Sequence, residues 1–457
     1  MGRLSAMRAA VSEWIDRETL RSPARLVLAT FALVILIVTG LLSLPAATAS
    51  GVRAPFVDAL FTATSAVCVT GLTTVSTGTY WSPLGLTIIG VGIKVGGLGI
   101  MTLASLVGLA VARRIGLTQR ILAAREARAS GLGDVRSLLR TIIVVSTLTE
   151  LVIAAILFPR FLTLDYGTGK SLGYSVFYAV SAFNNAGFSP DPVGLMPYDG
   201  DFWMLLPIGL GVFIGALGFP VYFNLLRAWR SPRRWTLHTK LSLATVAALT
   251  VVSASLLALF EWDNPGTLQS NSTASTIGNV FFQSINQRSG GFNSFEIGQA
   301  RQETWMLENV LMFIGGGSGS TAGGIRTTTL AVLLLAIWAE ARGRRDIEAF
   351  GKRIGTEVLR LAVSVTLVSL FIVIVGTVVF MAVTDIPLDR SLYEVISAFA
   401  TCGLTTGITS DLNTAGKVTL ITLMYVGRVG SLTVVAALAL NKQRRVIRYP
   451  SERPLIG

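Results

Sequence analysis

Four short segments of this chain combine glycine with small and hydroxyl residues in a way that could bind a cation through backbone carbonyl groups. They are SAVCVTGLTT (65–74), SAFNNAGFSP (181–190), INQRSGGFNS (285–294) and SAFATCGLTT (397–406), here called glycine turns 1 to 4. Their glycines, Gly71, Gly187, Gly291 and Gly403, stand 116, 104 and 112 residues apart, which indicates one unit repeated four times. Glycine permits backbone conformations closed to other residues, so consecutive carbonyls can point one way. Four such turns around one axis could replace the water around an ion.

The candidate cation ligands are the backbone carbonyls at and just before each glycine. They belong to Val69, Thr70, Gly71, Asn185, Ala186, Gly187, Ser289, Gly290, Gly291, Thr401, Cys402 and Gly403. All twelve residues are uncharged, so carbonyl dipoles would set selectivity, which favours a weakly hydrated monovalent cation over a divalent one. The two cysteines, Cys68 and Cys402, have no metal-site spacing and are expected to be small buried residues.

A short apolar stretch precedes each glycine turn and predicts a helix that cannot cross a membrane. The predicted ranges are 56–68, 172–184, 274–286 and 391–401. A span needs about 20 residues, so each short helix would enter partway and return. Its partly negative C-terminal end would point at the axis. Irregular backbone at that depth must be buried or line water, so all four turns should share one aqueous cavity. The alternative, an ordinary outer loop helix with a glycine C-cap, is disfavoured by the fourfold recurrence.

The composition is that of a membrane protein, with 52% hydrophobic residues, 14% charged residues and a mean hydropathy of +0.64. Eight spans are predicted at 24–46, 82–112, 139–162, 202–227, 239–261, 305–340, 357–384 and 416–440. The first apolar run covers about 20 residues, longer than a signal-peptide core, and is expected to be an uncleaved span. An even number of spans leaves both termini on one side.

The net charge of +13 is explained by where the basic residues lie. Lys and Arg gather before the first span, in 113–140, 227–240 and 342–360, and after 441, whereas the alternate loops are acidic. By the positive-inside rule both termini are cytoplasmic. The natural neighbours of the basic segments are anionic lipids, and nucleic-acid binding is not expected.

The predicted fold is an all-α polytopic membrane protein with four pseudo-symmetric repeats of helix, re-entrant pore loop and helix around one central ion pathway. The predicted divisions are a cytoplasmic N-terminus (1–23), repeat 1 (24–112), a basic cytoplasmic linker (113–138), repeat 2 (139–229), repeat 3 (230–341), repeat 4 (342–441) and a cytoplasmic C-terminus (442–457).

The sixth predicted span contains IGGGSGSTAGGIRTTT (314–329), here called the glycine-rich segment. Each glycine costs a helix interior about 1 kcal/mol relative to alanine, so this segment should unwind inside the membrane. Close helix packing needs only two small residues one turn apart, and a phosphate loop would need a GK[ST] sequence after a strand. Candidate gate residues are Gly315, Gly316, Gly317, Ser318, Gly319, Ser320, Thr321, Ala322, Gly323, Gly324 and Arg326, with Lys94 and Arg428.

Lys94, Arg326 and Arg428 lie within predicted spans, far from the basic clusters. Ionisable groups within spans are costly and mark water-filled paths by default. Our hypothesis is that Lys94 and Arg428 hold the glycine-rich segment through its carbonyls, and that their charge raises the barrier when the segment is closed. Glu150 could pair with one of these cations, and the sequence does not decide which.

With its four glycine turns and glycine-rich segment, the chain resembles the Trk/Ktr/HKT superfamily of potassium transporters over nearly its whole length, most closely the Ktr-type membrane subunit. The resemblance implies potassium as the ion and the glycine-rich segment as a gate below the filter. It also implies a homodimer and a cytosolic nucleotide-binding ring of RCK type (KtrA/TrkA-like), docked on 113–140 and 342–360. Turn 3 departs from the pattern, with Ile285 where the other turns have serine and with Arg288, which the family places behind the filter in a structural role.

The leading functional hypothesis is therefore the ion-translocating subunit of a potassium uptake system in a bacterial-type cell membrane, driven by the membrane potential. No covalent cofactor is expected, sodium could also be carried, and a nucleotide is expected only on the regulatory partner. The alternatives are a sodium- or proton-coupled symporter or a less selective monovalent-cation pathway. An intramembrane enzyme is disfavoured because the sequence has one histidine and no HExxH or GxSxG motif. A purely structural protein would not need four turns in an aqueous cavity.

Overall fold

The computed structural model describes residues 23–113, 135–269 and 272–430, with side chains described in 28–102, 139–269 and 272–430. The predictions for the N-terminus, for most of the basic linker and for the C-terminal segment lie outside these residues. The described chain is mostly helical. Its helices are α1 (Pro23–Leu42), α2 (Phe56–Val67), α3 (Pro83–Arg113), α4 (Val135–Thr163), α5 (Thr168–Asn184), α6 (Phe202–Leu217), α7 (Phe219–Ala228), α8 (Leu237–Glu261), α9 (Thr273–Asn286), α10 (Gln302–Ile314), α11 (Thr327–Ala341), α12 (Thr356–Thr384), α13 (Leu388–Phe399) and α14 (Thr414–Tyr425); a one-turn helix also covers Thr77–Tyr80, and α14 continues into a π-helical turn at Val426–Gly430.

Four helices in the described residues are long and apolar enough to cross a membrane. They contain Pro83–Thr102, Leu139–Thr163, Leu237–Glu261 and Thr356–Thr384, and α6 with α7 would form a fifth span if the bent pair is counted as one. Large apolar side chains such as Leu367 and Phe371 on α12 are exposed, as expected for a surface that faces lipid. The eight predicted spans are therefore not all continuous helices in the structure.

The fourth predicted span, 202–227, is broken, which the sequence analysis did not predict. α6 ends at Leu217, α7 begins at Phe219, and the two helices are bent by 97°. Gly218 between them has a φ of +94°, which glycine adopts without strain. Pro220 follows in the first turn of α7, where its missing N–H leaves no helical bond unmade.

The sixth predicted span is also broken, as expected for the glycine-rich segment. α10 ends at Ile314, α11 begins at Thr327, and the intervening residues are not helical. Gly315, Gly319 and Gly324 have positive φ values of 72°, 74° and 77°. The unwinding therefore uses glycines where the backbone turns left-handed.

The all-α prediction needs one correction. Residues Ile347–Ala349 and Lys352–Ile354 form a two-stranded antiparallel hairpin between α11 and α12. Ile354 is buried in a cluster with Leu241 of α8 and Val332 of α11. Strands of three residues are too short to show an alternating pattern in the sequence.

The four predicted short helices correspond to α2, α5, α9 and α13. Their observed ends agree with the predicted ranges to within about four residues, which is the usual uncertainty of helix boundaries from sequence. Each short helix leads directly into one glycine turn. The helices therefore deliver the four turns into the interior of the protein.

Candidate functional site

The four glycine turns meet one another in chain order, and turn 4 closes on turn 1. A Cβ atom added to any of these glycines would overlap an atom of the next turn. The separation would be 2.4 Å between the Cβ at Gly71 and the Ala186 oxygen, and 2.7 Å between that at Gly187 and the Gly291 Cα. It would be 2.3 Å between the Cβ at Gly291 and the Cys402 oxygen, and 2.1 Å between that at Gly403 and the Thr70 oxygen. Real Cβ atoms essentially never approach this closely. The turns thus form a closed ring, and only glycine fits at the points of contact.

Backbone conformation in turns 1, 2 and 4 alternates in a similar way. The residue two positions before each glycine has a positive φ, namely Val69 (56°), Asn185 (58°) and Thr401 (49°). Positive φ values return at Gly71 (100°), Gly187 (67°) and Gly403 (99°). Alternating the sign of φ lets successive carbonyls turn to the same side. Val69 and Thr401 are β-branched, so this conformation stores about 1–3 kcal/mol of strain at each.

The serine six positions before the glycine holds turns 1, 2 and 4 in place. The Ser65 Oγ accepts a hydrogen bond from the Gly71 N–H at 3.0 Å, and the Ser397 Oγ accepts one from the Gly403 N–H at 3.1 Å. In turn 2 the Ser181 Oγ instead donates to the Phe188 oxygen at 2.8 Å. The recurring serine in the sequence therefore marks a bond that ties α2, α5 and α13 each to its own turn.

Turn 3 replaces this serine by a neighbouring residue that the sequence analysis missed. The Asn286 Oδ1 accepts from the Phe292 N–H at 3.1 Å, and the Asn286 amide also donates to the Phe292 oxygen. An asparagine directly after Ile285 was the available signal, because its amide carries both a donor and an acceptor. Arg288 is 2% exposed and donates from Nη2 to the Thr250 hydroxyl of α8 at 3.2 Å.

Glycines on the flanking helices admit the C-terminal ends of three short helices. An added Cβ at Gly96, Gly215 or Gly427 would lie 1.9, 1.9 or 1.8 Å from the carbonyl oxygen of Val67, Phe183 or Phe399 respectively. The helix dipole ends are therefore packed directly on backbone, with no side chain between them.

We expect Gly96→Ala to destabilise the protein by about 1–3 kcal/mol, because the added methyl group must displace the end of α2 rather than a flexible side chain. Gly99→Ala on the same helix is the matched control, since its nearest neighbour would be the Phe31 ring at an ordinary 3.6 Å. Alanine favours helix at both positions by about 1 kcal/mol, so only the clash differs. Thermal unfolding of the detergent-purified protein measures the difference. Equal melting temperatures for the two variants would contradict the packing described here.

The glycine-rich segment lies directly against turns 2 and 4. Thr321 is fully buried, accepts a hydrogen bond from the Asn185 Nδ2 at 2.9 Å, and donates to the Gly215 oxygen at 3.0 Å. An added Cβ at Gly323 would lie 1.8 Å from the Ala400 oxygen. A rearrangement of the segment must therefore disturb contacts with two of the four turns.

The same segment also packs on the unpredicted break at Gly218. The Gly317 N–H donates to the Ala216 oxygen at 2.7 Å, and the Phe219 N–H donates to the Gly319 oxygen at 3.1 Å. A Cβ at Gly218 would lie 2.5 Å from the Ser318 oxygen. The two broken helices thus satisfy each other's exposed backbone groups, as broken helices inside a membrane require.

Of the three cationic side chains predicted within spans, Arg326 and Arg428 bind carbonyl groups of the glycine-rich segment. Arg428 is 2% exposed, and its Nη1 donates to the Thr321 oxygen at 2.5 Å. The Arg326 Nη1 donates to the oxygens of Gly317 and Ala322 and to the Ser320 hydroxyl, within the segment itself. Arg428 therefore holds the segment from the π-helical turn that follows α14, and Arg326 fixes its internal shape.

The hypothesis that Lys94 holds this segment is wrong. The Lys94 Nζ lies 2.6 Å from the Glu150 Oε2 and also donates to the Ser146 hydroxyl, both on α4. Glu150 in turn accepts from the Asn184 Nδ2 at the end of α5 at 3.0 Å. The hydrogen bonds of the Lys94 Nζ go to Ser146 and Glu150, and a carboxylate is the partner that best stabilises a cation inside a span. The Lys94–Glu150 pair thus holds the side chain of Asn184, which directly precedes Asn185 in turn 2.

A cavity of ≈ 280 Å³ opens on one side of the ring and touches all four of its glycines. Hydroxyl residues line its wall, namely Thr73, Ser76, Thr77, Ser189 and Thr405. In the described residues no cluster of three or more His, Cys, Asp or Glu side chains could hold a metal ion. Cys68 and Cys402 are buried and free, as expected. The arrangement offers backbone and hydroxyl oxygens to a cation.

Comparison with known proteins identifies relatives along nearly the full chain. The family profile described as "TrkH: Cation transport protein" matches residues 10–449. The chain is 38% identical over 436 residues to "Ktr system potassium uptake protein B" of Bacillus subtilis, covering 95% of this chain and 97% of the relative. It is 35% identical over 442 residues to "Potassium/sodium uptake protein NtpJ" of Enterococcus hirae, with the same coverage. The crystal structure of the potassium transporter TrkH from Vibrio parahaemolyticus is similar in fold, with a TM-score of 0.67 at 19% identity, covering 90% of this chain and 84% of that chain.

Proposed function

The chain belongs to the TrkH family of cation transport proteins, and from this premise we propose that it is the ion-translocating membrane subunit of a potassium uptake system. Potassium would pass through the ring of glycine turns and be gated by the glycine-rich segment. As a member of the Ktr/TrkH family the protein is a potassium or cation uptake transporter of the membrane and not an enzyme.

The observation that carries the filter proposal is the closed ring. Each turn contributes its glycine and the two preceding residues. The carbonyl oxygens of Ala186, Cys402 and Thr70 lie against the glycine of the preceding turn in the ring, namely Gly71, Gly291 and Gly403 respectively. Uncharged carbonyls suit a monovalent cation whose hydration shell is easily replaced. The C-terminal dipoles of α2, α5, α9 and α13 add negative potential without formal charge.

The gate proposal depends on the position of the glycine-rich segment. It packs on turns 2 and 4, and Arg428 ties it to the π-helical turn after α14. Glycine lowers the barrier to rearranging this backbone, while the arginine places a positive charge near the path of a cation. Lys94 is not included among the proposed gate residues, because it pairs with Glu150.

A second candidate function is favoured by the name of one relative. NtpJ of Enterococcus hirae is called a potassium/sodium uptake protein, and it is 35% identical to this chain. Accordingly, sodium entry through the same ring, or coupling of potassium to sodium or protons, is the alternative to a selective potassium path.

We also propose a multicomponent assembly. Relatives in Bacillus subtilis are named as parts of a Ktr system, at 38% and 33% identity. The assembly would be a homodimer with an RCK-type ring (KtrA/TrkA-like) that carries the nucleotide, in a bacterial-type cell membrane with both chain termini cytoplasmic. The basic segment 342–360 would face the ring, and anionic lipids would surround the basic residues.

The proposal is tested by expression in a bacterial strain that lacks potassium uptake, followed by growth and rubidium-86 uptake at low potassium. Expression of the chain with its partner should restore both. Reversal potentials in proteoliposomes then separate the mechanisms, because a channel-like path follows the potassium gradient alone whereas a symporter shifts with sodium or pH. Absence of any cation flux in both assays would refute the proposed function.

A further inference from the structure

Asp191 faces the cavity outside the ring and has no part in the filter or gate described above. It lies four residues after Gly187, is 7% exposed, and lines the ≈ 280 Å³ cavity together with all four ring glycines. Among the described residues that line this cavity, it is the only one with a charged side chain. A hydrated cation in the cavity would therefore meet one formal negative charge before it reaches the carbonyls.

The Asp191 carboxylate is held in place by tyrosine hydroxyls. Tyr178 and Tyr198 donate to its Oδ2 at 2.7 and 2.8 Å, and Tyr166 donates to its Oδ1 at 3.5 Å. Burial, the hydrogen bond to Tyr166 and the charge of Asp191 raise the pKa of Tyr198, so this hydroxyl keeps its proton and remains a donor. Because the short bonds both engage Oδ2, Oδ1 is the less occupied oxygen of the carboxylate.

The surroundings of the cluster leave the charge of Asp191 without a cationic partner in the described part of the chain. Lys170 contacts the cluster from the side of its aromatic rings, with its Nζ over the Tyr166 and Tyr174 rings, 4.5 and 4.9 Å from their centroids. Lys170 is exposed to solvent and forms no ion pair with Asp191. Neutral phenols thus fix the carboxylate in place and leave its formal charge unneutralised.

We infer that Asp191 is a cation-collecting residue, which concentrates hydrated monovalent cations in the outer cavity before they lose water at the ring. A single charge in a partly enclosed cavity raises the local concentration of counter-ions and the rate at which they arrive. It acts on capture and not on passage through the ring. The inference rests on the proposed function and adds a residue that sets the apparent affinity for the cation.

Asp191→Asn removes the charge while its amide oxygen can still accept from Tyr178 and Tyr198, and the amide nitrogen takes the place of the oxygen that Tyr166 contacts only at 3.5 Å. The KM for rubidium-86 uptake should rise by roughly 3- to 10-fold with little change in the maximal rate. Raising the external ionic strength to about 0.5 M with an impermeant salt should reduce the difference in KM between wild type and Asp191→Asn, because salt screens the charge. Asp191→Glu should retain most of the low KM of the wild type.

Two controls separate this effect from structural damage. Asp263→Asn removes the same charge from an exposed residue outside the cavity and should leave KM unchanged. Tyr198→Phe removes one donor but keeps the carboxylate, so a KM like that of Asp191→Asn would assign the effect to packing and overturn the inference. An unchanged KM in Asp191→Asn, with normal maximal uptake, would overturn it while leaving the proposed function intact.

A variant that keeps Asp191 covers the case in which Asp191→Asn does not fold. Val193 lines the same cavity and is 48% exposed, so Val193→Lys adds a positive charge there without touching the tyrosine cluster. Its KM should exceed that of Val193→Gln by a similar factor, and equal KM values for the two would refute electrostatic collection. If the wild-type chain itself showed no cation uptake, that result would instead count against the proposed function.

Discussion

Replacement of Gly403 by alanine is expected to reduce potassium uptake by about 10- to 100-fold and to lower the preference for potassium over sodium. The added Cβ would lie 2.1 Å from the Thr70 oxygen and 3.0 Å from the Gly71 Cα, both backbone atoms of another turn. Neither atom can move aside without opening the ring between turns 4 and 1. Overpacking of this kind costs about 1–3 kcal/mol, and about 1.4 kcal/mol corresponds to a tenfold change.

The matched control is Gly407→Ala in the same loop. Gly407 has a φ of +93°, close to the +99° of Gly403, but no atom lies within 4 Å of its added Cβ. Both variants therefore place alanine at a similar positive φ, and only Gly403→Ala crowds the ring. Rubidium-86 uptake and sodium competition in the uptake-deficient strain measure the effect. If Gly403→Ala transported potassium at the wild-type rate and with wild-type selectivity, Gly403 would not be part of the selectivity filter.

Replacement of Arg428 by glutamine is expected to raise the rate of potassium uptake about tenfold. The Arg428 Nη1 donates to the Thr321 oxygen, so the substitution removes a charge-assisted bond between the π-helical turn after α14 and the glycine-rich segment. Such bonds contribute about 1.5–3 kcal/mol, and their loss favours the open arrangement. The positive charge that opposes a cation near the gate is lost as well.

Arg428→Lys separates the two effects. Lysine keeps the positive charge but lacks the planar donor group of arginine, so an uptake rate between those of wild type and Arg428→Gln is expected. Protein amount and thermal stability must be measured beside flux, because glutamine also leaves a polar side chain at a fully buried position. An Arg428→Gln protein that is folded and transports at the wild-type rate would exclude a gating role for this arginine.

Much of the candidate site could be predicted from the sequence because its signals are local. The glycine turns recur with similar neighbours, and a short apolar stretch precedes each one, so α2, α5, α9 and α13 were expected near their observed positions. The glycine-rich segment unwinds for the reason the sequence gives, the low helix propensity of consecutive glycines. The arginine in mid-span pointed to a bond with that segment, and Arg428 makes it.

Other parts of the site depend on contacts between residues far apart in the chain. Gly218 followed by Pro220 is a local signal for a helix break, but the apolar run from 202 to 227 was predicted as one span without it. The role of Asn286 in turn 3 depends on Phe292 lying opposite its amide. Asp191 looked like an ordinary residue of an acidic loop until the fold placed three tyrosines around it.

The sequence by itself determined that this is a membrane protein with four related glycine turns, because hydropathy and repeat spacing are properties of the chain. Only the tertiary structure decided which turn meets which, and that Lys94 pairs with Glu150 while Arg428 holds the glycine-rich segment. The physical reason is that a buried charge binds whichever partner the fold brings within a few ångströms. Composition can indicate that such a partner must exist, but the packing of the helices selects it.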